Sequence, residues 1–214
     1  MFEKLKPDKN RKVSSTKWLQ RRLSDPFVHQ AKFEGYRSRA AFKLLQIEEK
    51  YHFIRQCRSC IVDLGSAPGS WLQILHNTTK PSVSLVGVDL QEISPLPRAQ
   101  ILVGDFTESD TMVRLEKMID GKEVDLVLSD MAPSSCGDRE TDHLRVVNLI
   151  DDALIFAERI LRQKGNFLAK IWHGGAEQEL RCKMRTIFTK VELFKPEASY
   201  SDSSEIFLIG IDRR

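Results

Sequence analysis

The segment Asp63-Leu64-Gly65-Ser66-Ala67-Pro68-Gly69-Ser70-Trp71 places small residues at 65, 67 and 69, where a ligand can approach the backbone closely. It is not the dinucleotide pattern, which wants glycines at the first, third and sixth positions. Pro68 also suits a tight turn more than a loop cradling phosphate. Three aspartates, Asp89, Asp105 and Asp130, each close a short apolar run. An acid after one strand can accept hydrogen bonds from ribose hydroxyls, and an acid after the next can take an exocyclic amine. A third can face a cationic group. Together they suit a ribose, an adenine and a positive centre better than a pyrophosphate, and S-adenosylmethionine carries all three. Helix capping explains any one of these aspartates, but not three in register with a glycine turn.

Those residues need elements to hold them. From Ile61 the chain reads as strand, glycine turn, helix, strand: Ile61–Leu64, then a helix over Trp71–His76, then Ser82–Asp89. Ile101–Val103 and Val124–Ser129 follow as strands, and Leu144–Leu161 as a long amphipathic helix closed by Lys164-Gly165. Asn166–Trp172, a helix near Glu177–Phe188, and the strands Val191–Phe194 and Glu205–Ile211 complete the pattern. Alternation of this kind predicts an α/β fold, a Rossmann-like, mostly parallel seven-stranded sheet with helices on both faces. Only a turn-rich segment separates the last two strands, so they are expected to pair antiparallel. Ligands of such sheets lie outside the carboxyl ends of the strands, where Asp89, Asp105 and Asp130 fall.

Ahead of this core the chain is basic. Residues 1–60 hold 15 Lys+Arg and 6 Asp+Glu, a balance of +9, while the rest holds 18 and 24, a balance of −6. A basic end on a mildly acidic body is the pattern of a nucleic-acid binder, with a solvated charged face as the bland alternative. Arg21, Arg22, Arg37 and Arg39 are the arginines expected to meet phosphates. Residues 1–13 have no periodicity and read as a mobile arm. A helix capped by Ser14 or Ser15 then carries Trp18, Leu19 and Leu23, and Asp25-Pro26 restarts the chain as N-cap and first turn, with Gly35 as the stop. A further helix over Ser38–Lys50 turns Ala41, Phe42, Leu45 and Ile47 to a core. The expected organisation is therefore a basic helical extension, 14–60, on a catalytic core, 61–214. With 214 residues, 41% hydrophobic, the chain is long enough for one complete core. Four cysteines fit a reduced compartment rather than a disulfide scaffold, and no apolar run reaches a membrane span.

DLGSAPGSW, SDMAPSSCG, GNFLAKIW and SSEIFLIG follow the order and spacing of the FtsJ/RlmE-type ribose 2′-O-methyltransferases, which this sequence resembles from about Ser14 to Ile211. The segment SSTKWLQRRLSDPFVHQAKFEGYRSRAAFKL is similar to theirs as well. The resemblance implies a Lys-Asp-Lys-Glu tetrad at Lys43, Asp130, Lys170 and Glu205. It implies S-adenosylmethionine contacts at Gly69, Trp71, Asp89, Asp105 and Asp130, and no metal. The implied substrate is a uridine ribose in 23S rRNA of the large ribosomal subunit, methylated by a cytoplasmic monomer without membrane attachment. Ser70 departs from the second glycine frequent in the family, and the segment after Lys170 differs in side chains.

Those residue types suit the chemistry. A ribose hydroxyl must lose its proton as it attacks, and a lysine can take that proton only as the free amine. Lys170, at the end of a strand with Lys43 as a second cation, is the expected acceptor, with Asp130 and Glu205 orienting the lysines. An ordinary ion-pair cluster would use the same residues. Cys136 offers carbon-5 chemistry as a rival, but it lies three residues past Pro133 instead of beside it. Cys57 and Cys60 have no second pair to complete a zinc site and are expected to be inert thiols. Trp18 and Phe27 could stack bases, though their spacing favours packing.

Overall fold

The structure, a computed structural model, describes residues 21, 23–133, 137–174 and 177–214. The expected mobile arm, the Ser14 and Ser15 caps, Trp18, Leu19, Arg22 and Cys136 lie outside the described residues. In chain order the elements are α1 (Pro26–Glu34), α2 (Ala40–Tyr51), β1 (Cys60–Leu64), α3 (Ser70–Thr78), β2 (Ser84–Asp89) and β3 (Ala99–Val103). There follow α4 (Ser109–Ile119), β4 (Val124–Ser129), α5 (Arg139–Ile160), β5 (Leu161–Trp172), α6 (Glu177–Ile187), β6 (Phe188–Phe194) and β7 (Glu205–Arg213). The seven strands form one sheet in the order β3-β2-β1-β4-β5-β7-β6. The first five strands in this order run parallel, and β7 runs antiparallel to both β5 and β6. Chain direction across the sheet therefore reverses between β1 and β4, which opens a crevice at their carboxyl ends.

Apolar residues cover both faces. On one face α4, α5 and α6 pack through Leu115, Ile150, Leu154 and Met184 onto Val62, Val127 and Phe167. On the other, α2 and α3 bring Leu44, Ile47, Leu72 and Leu75 against Ile61, Leu126, Leu168 and Phe207. β1 and β4 are buried along their whole length, as parallel strands covered on both faces must be. α2 thus shares its core with the sheet. α1 joins through a smaller cluster of Ala31, Phe42 and Ala198, with Phe27 packed at 5.4 Å between ring centroids from Phe42. Phe27 is a packing residue.

Local chemistry explains the helix starts. Asp25 caps α1 by accepting from Phe27 N, Pro26 opens the first turn, and Gly35 ends it at φ 77°. Two expectations need correction. α5 does not run to Lys164-Gly165: it ends at Ile160, and Leu161 already belongs to β5. Lys164, at φ 61°, and Gly165 instead form an irregularity inside β5, where the register jumps from Val124↔Leu161 to Leu126↔Asn166. The segment between Val103 and Val124, given no element above, forms α4, whose Thr111, Leu115 and Ile119 are buried one helical turn apart.

Candidate active site

A cavity of about 670 Å³ opens at the carboxyl ends of β1, β2, β3 and β4. Asp89, Asp105 and Asp130 all line it, together with Gly65 and Ala67 of the turn after β1. Gly65 stands at φ 79°, and a Cβ there would lie 2.8 Å from Met131 N, so only glycine lets the turn approach the chain leaving β4. Asp89 ties its own strand end to that turn. Its Oδ2 accepts from Ala67 N at 2.8 Å and its Oδ1 from Gln91 N at 2.9 Å. Asp105 accepts from the Thr107 hydroxyl at 2.7 Å and Thr107 N at 2.9 Å, which together hold its carboxyl below the usual range. Both bonds fall on Oδ1, which leaves Oδ2 for a ligand donor.

Gly69 and Trp71 do not line this cavity. Gly69 is the N-cap of α3 at φ 99°. Trp71 is buried, its indole N–H donates to Ala40 O at 3.0 Å, and its ring lies 5.9 Å from that of Phe207. Its side chain therefore joins α3 to α2 and β7. Ser70, the departure noted in the sequence, is buried with its hydroxyl 2.7 Å from that of Ser38, so the serine fastens α3 to the extension. From α5, Arg145, Asn148, Leu149 and Asp152 also line the cavity. Their i, i+3, i+4, i+7 spacing marks one helix face, but nothing in the sequence says which face meets the sheet's carboxyl edge.

Of the four tetrad residues only Asp130 lines the cavity; Lys43, Lys170 and Glu205 are not among its lining residues, and the four form two lysine–carboxylate pairs. Lys170 Nζ lies 2.8 Å from Asp130 Oδ1 and donates to the Asp130 main-chain carbonyl at 2.7 Å. Lys43 Nζ donates to Glu205 Oε2 at 2.7 Å, while Ser199 donates to Glu205 Oε1 at 2.6 Å. All four charged side chains are at most 20% exposed, so water screens these pairs weakly. On the antiparallel β5–β7 pair Lys170 is opposite Phe207, two residues from Glu205, which puts Lys170 and Glu205 on one face at a diagonal. Lys43, from α2, reaches the same place, its Nζ 5.9 Å from the Phe207 ring centroid. The four tetrad residues thus come from α2, the end of β4, β5 and β7.

Beneath the cavity Asp63 is 1% exposed, and neither of its carboxylate oxygens has a hydrogen-bond partner. Burial pushes its pKa up to about 8, and the nearby charges of Asp130 and Asp89 push the same way. Cys57 and Cys60 are buried free thiols, raised by the same cause, Cys60 to about 11. That fits inert cysteines. The arginines of the extension are not idle. Arg21 pairs with Asp202 and stacks 3.8 Å from the Tyr200 ring centroid. Arg39 pairs with Asp25 at 2.8 Å, bonds Ala198 O and stacks 3.7 Å from the same ring.

A parallel sheet in this strand order, with an antiparallel seventh strand and acids after β2, β3 and β4 around one cavity, defines a Rossmann-like class I methyltransferase. The sequence profile of the FtsJ-like methyltransferases matches residues 36–213. The chain is similar to the ribosomal RNA large subunit methyltransferase E of Rickettsia akari, 43% identical over all of this chain and 95% of that protein. It is similar to the protein of the same name from Ruegeria pomeroyi, 44% identical over 97% of this chain and 91% of the relative. Among solved structures, a ribosomal RNA methyltransferase from Plasmodium falciparum superposes with a TM-score of 0.74 at 28% identity, covering 83% of this chain and 98% of that one. The chain belongs to the FtsJ-like methyltransferase family. Its methyl donor is S-adenosylmethionine. The residues present fit that group: carboxylates for the ribose hydroxyls, the adenine amine and the cation, around a cavity with close backbone access at Gly65 and Ala67. Among the described residues, no helix is long and apolar enough to cross a membrane.

Proposed function

We propose that this protein methylates a ribose 2′-hydroxyl, that of a uridine in 23S rRNA of the large ribosomal subunit, with Lys170 as proton acceptor. The observation that carries this reading is that Lys170 pairs with Asp130, which lines the cavity, while Lys43 and its partner Glu205 reach the same face of the β5–β7 pair as Lys170. S-adenosylmethionine supplies a methyl group on a sulfonium, an electrophile needing no further activation. Asp89 holds the ribose hydroxyls of that group, Asp105 its adenine amine, and Asp130 its positive end. Gly69 and Trp71, the other cofactor contacts that the resemblance implies, are not among the residues lining this cavity.

The task left to the protein is to position a poor nucleophile and remove its proton. Lys170 takes the proton from the 2′-hydroxyl as the free amine, and positioned acid–base groups of this kind contribute about 10²–10⁴ in rate. Asp130 holds Lys170 through a hydrogen bond to the main-chain oxygen and an ion pair with the carboxylate. Lys43, held by Glu205, is the second lysine of the set and reaches the same face of the β5–β7 pair. The basic extension, residues 14–60, carries the RNA. The protein acts as a cytoplasmic monomer.

The test is direct. Purified protein with methyl-labelled S-adenosylmethionine should label 23S rRNA in large ribosomal subunits taken from cells lacking the activity. Absence of label in subunits, whole ribosomes and naked rRNA alike would reject the substrate, and would favour an RNA-binding assembly factor that keeps the fold without turnover.

A further inference from the structure

Arg37 lies in the connection between α1 and α2, in the stretch whose charge points to phosphate contacts, yet its side chain is committed elsewhere. Nη1 donates to the carbonyl oxygen of Pro68 at 2.9 Å, and Nη2 donates to that of Pro95 at 3.1 Å. Its main-chain N–H donates to Gln73 Oε1 on α3 at 2.8 Å, and Gln73 Nε2 donates back to Gly35 O at 3.0 Å. A Cβ built on Gly69 would overlap Arg37 Nη1, so the bare Cα of Gly69 is the space into which the guanidinium fits.

The two carbonyls belong to the two segments that wall the cavity: Pro68 to the turn after β1, beside the lining residue Ala67, and Pro95 to the loop after β2 that begins with the lining residues Leu90 and Gln91. From inside, Asp89 also joins the same segments, accepting from Ala67 N and Gln91 N. Those are the oxygens that ribose hydroxyls compete for. A ligand that engages Asp89 shares its oxygens with the inner tie and leaves the outer one untouched.

We propose that Arg37 is a positioning residue for the cofactor pocket, a clamp that holds the turn after β1 to the loop after β2 while Asp89 is given over to the ligand. The inference rests on the reading of this cavity as the S-adenosylmethionine site. A guanidinium suits the task because its planar fork donates to two fixed acceptors at once, where an ammonium on a shorter stem reaches one.

The experiment compares Arg37→Ala and Arg37→Lys with the wild-type protein, measuring S-adenosylmethionine affinity by calorimetry, RNA affinity by filter binding, and the split between KM and kcat. Arg37→Ala is expected to weaken cofactor binding about tenfold, the worth of roughly one charge-assisted hydrogen bond. The KM for the cofactor should rise in step, with kcat at saturation little changed. Arg37→Lys keeps the charge and should show most of the same cofactor defect while RNA affinity and its salt dependence stay near wild type. A phosphate ligand would give the reverse: lost RNA affinity in Arg37→Ala, rescue by Arg37→Lys and an unchanged cofactor affinity, and that result overturns the proposal. If Arg37→Ala fails to fold, Arg37→Lys decides alone, and wild-type cofactor affinity in it refutes the clamp. A wild-type protein that binds no S-adenosylmethionine rejects the pocket reading itself, a different outcome from either.

Discussion

Asp63→Asn should stabilise the protein, and by more at higher pH. The wild-type carboxyl is 1% exposed on β1, has no hydrogen-bond partner at either oxygen, and is pushed to about 8 by burial and by the charges of Asp130 and Asp89. In the unfolded chain it titrates near 3.8. Between those values the folded state holds a proton that the unfolded state has released. The associated stability is fully present below about pH 4 and is lost as the pH rises toward 8, at a limiting slope of roughly 1.4 kcal/mol per pH unit. From pH 5 to pH 7.5 that amounts to roughly 3 kcal/mol, an appreciable share of the about 5–15 kcal/mol that holds a domain folded. Asparagine has nearly the same shape and no charge to bury. Urea unfolding of both proteins at half-unit steps from pH 5 to 7.5, read at matched m-values, should show the variant's advantage growing across the window. A constant offset between the two curves would mean that Asp63 does not hold its proton, and would refute the reasoning.

Three further outcomes follow from the same geometry. Lys170→Ala should lower turnover by about 10²–10⁴ while leaving cofactor affinity largely intact, and near-normal methylation would remove Lys170 from the mechanism. Glu205→Ala leaves the Lys43 ammonium, only 13% exposed, without its carboxylate and should cost about 2 kcal/mol in chemical unfolding, along with activity. If residues 1–60 carry the RNA, its affinity should fall steeply and log-linearly with salt through counterion release, and a flat dependence would reduce the charge asymmetry to a solvated face.

The acids at the strand ends were legible because strand, glycine turn and acid are local signals, and a parallel sheet then dictates where they meet. The antiparallel last pair followed from the short connection alone. α4 was not legible: Asp110, Arg114, Glu116 and Lys117 interrupt its apolar positions, and its three buried residues lie on one narrow stripe. The end of α5 was misplaced because Lys164-Gly165 carries the residues of a helix stop, yet serves an irregularity of β5 that only strand pairing reveals. Within the site, residue type showed that Arg37 and Arg39 are cations but not that their partners are carbonyls, a carboxylate and a ring from elsewhere in the chain. Lys43 and Glu205, 162 positions apart, show their pairing only after folding, and without the family resemblance Lys43 would read as a solvated residue on α2.

The central claim is that the methyl group goes to a ribose oxygen with Lys170 taking the proton. The most direct measurement digests the labelled rRNA with alkali. A 2′-O-methyl group removes the hydroxyl that attacks the neighbouring phosphate, so the label should survive in an uncut dinucleotide made by the wild-type enzyme and by Cys136→Ser, and should be missing from reactions with Lys170→Ala. Label recovered on the base of a mononucleotide, or a folded Cys136→Ser protein without activity, would contradict the account in favour of carbon-5 chemistry.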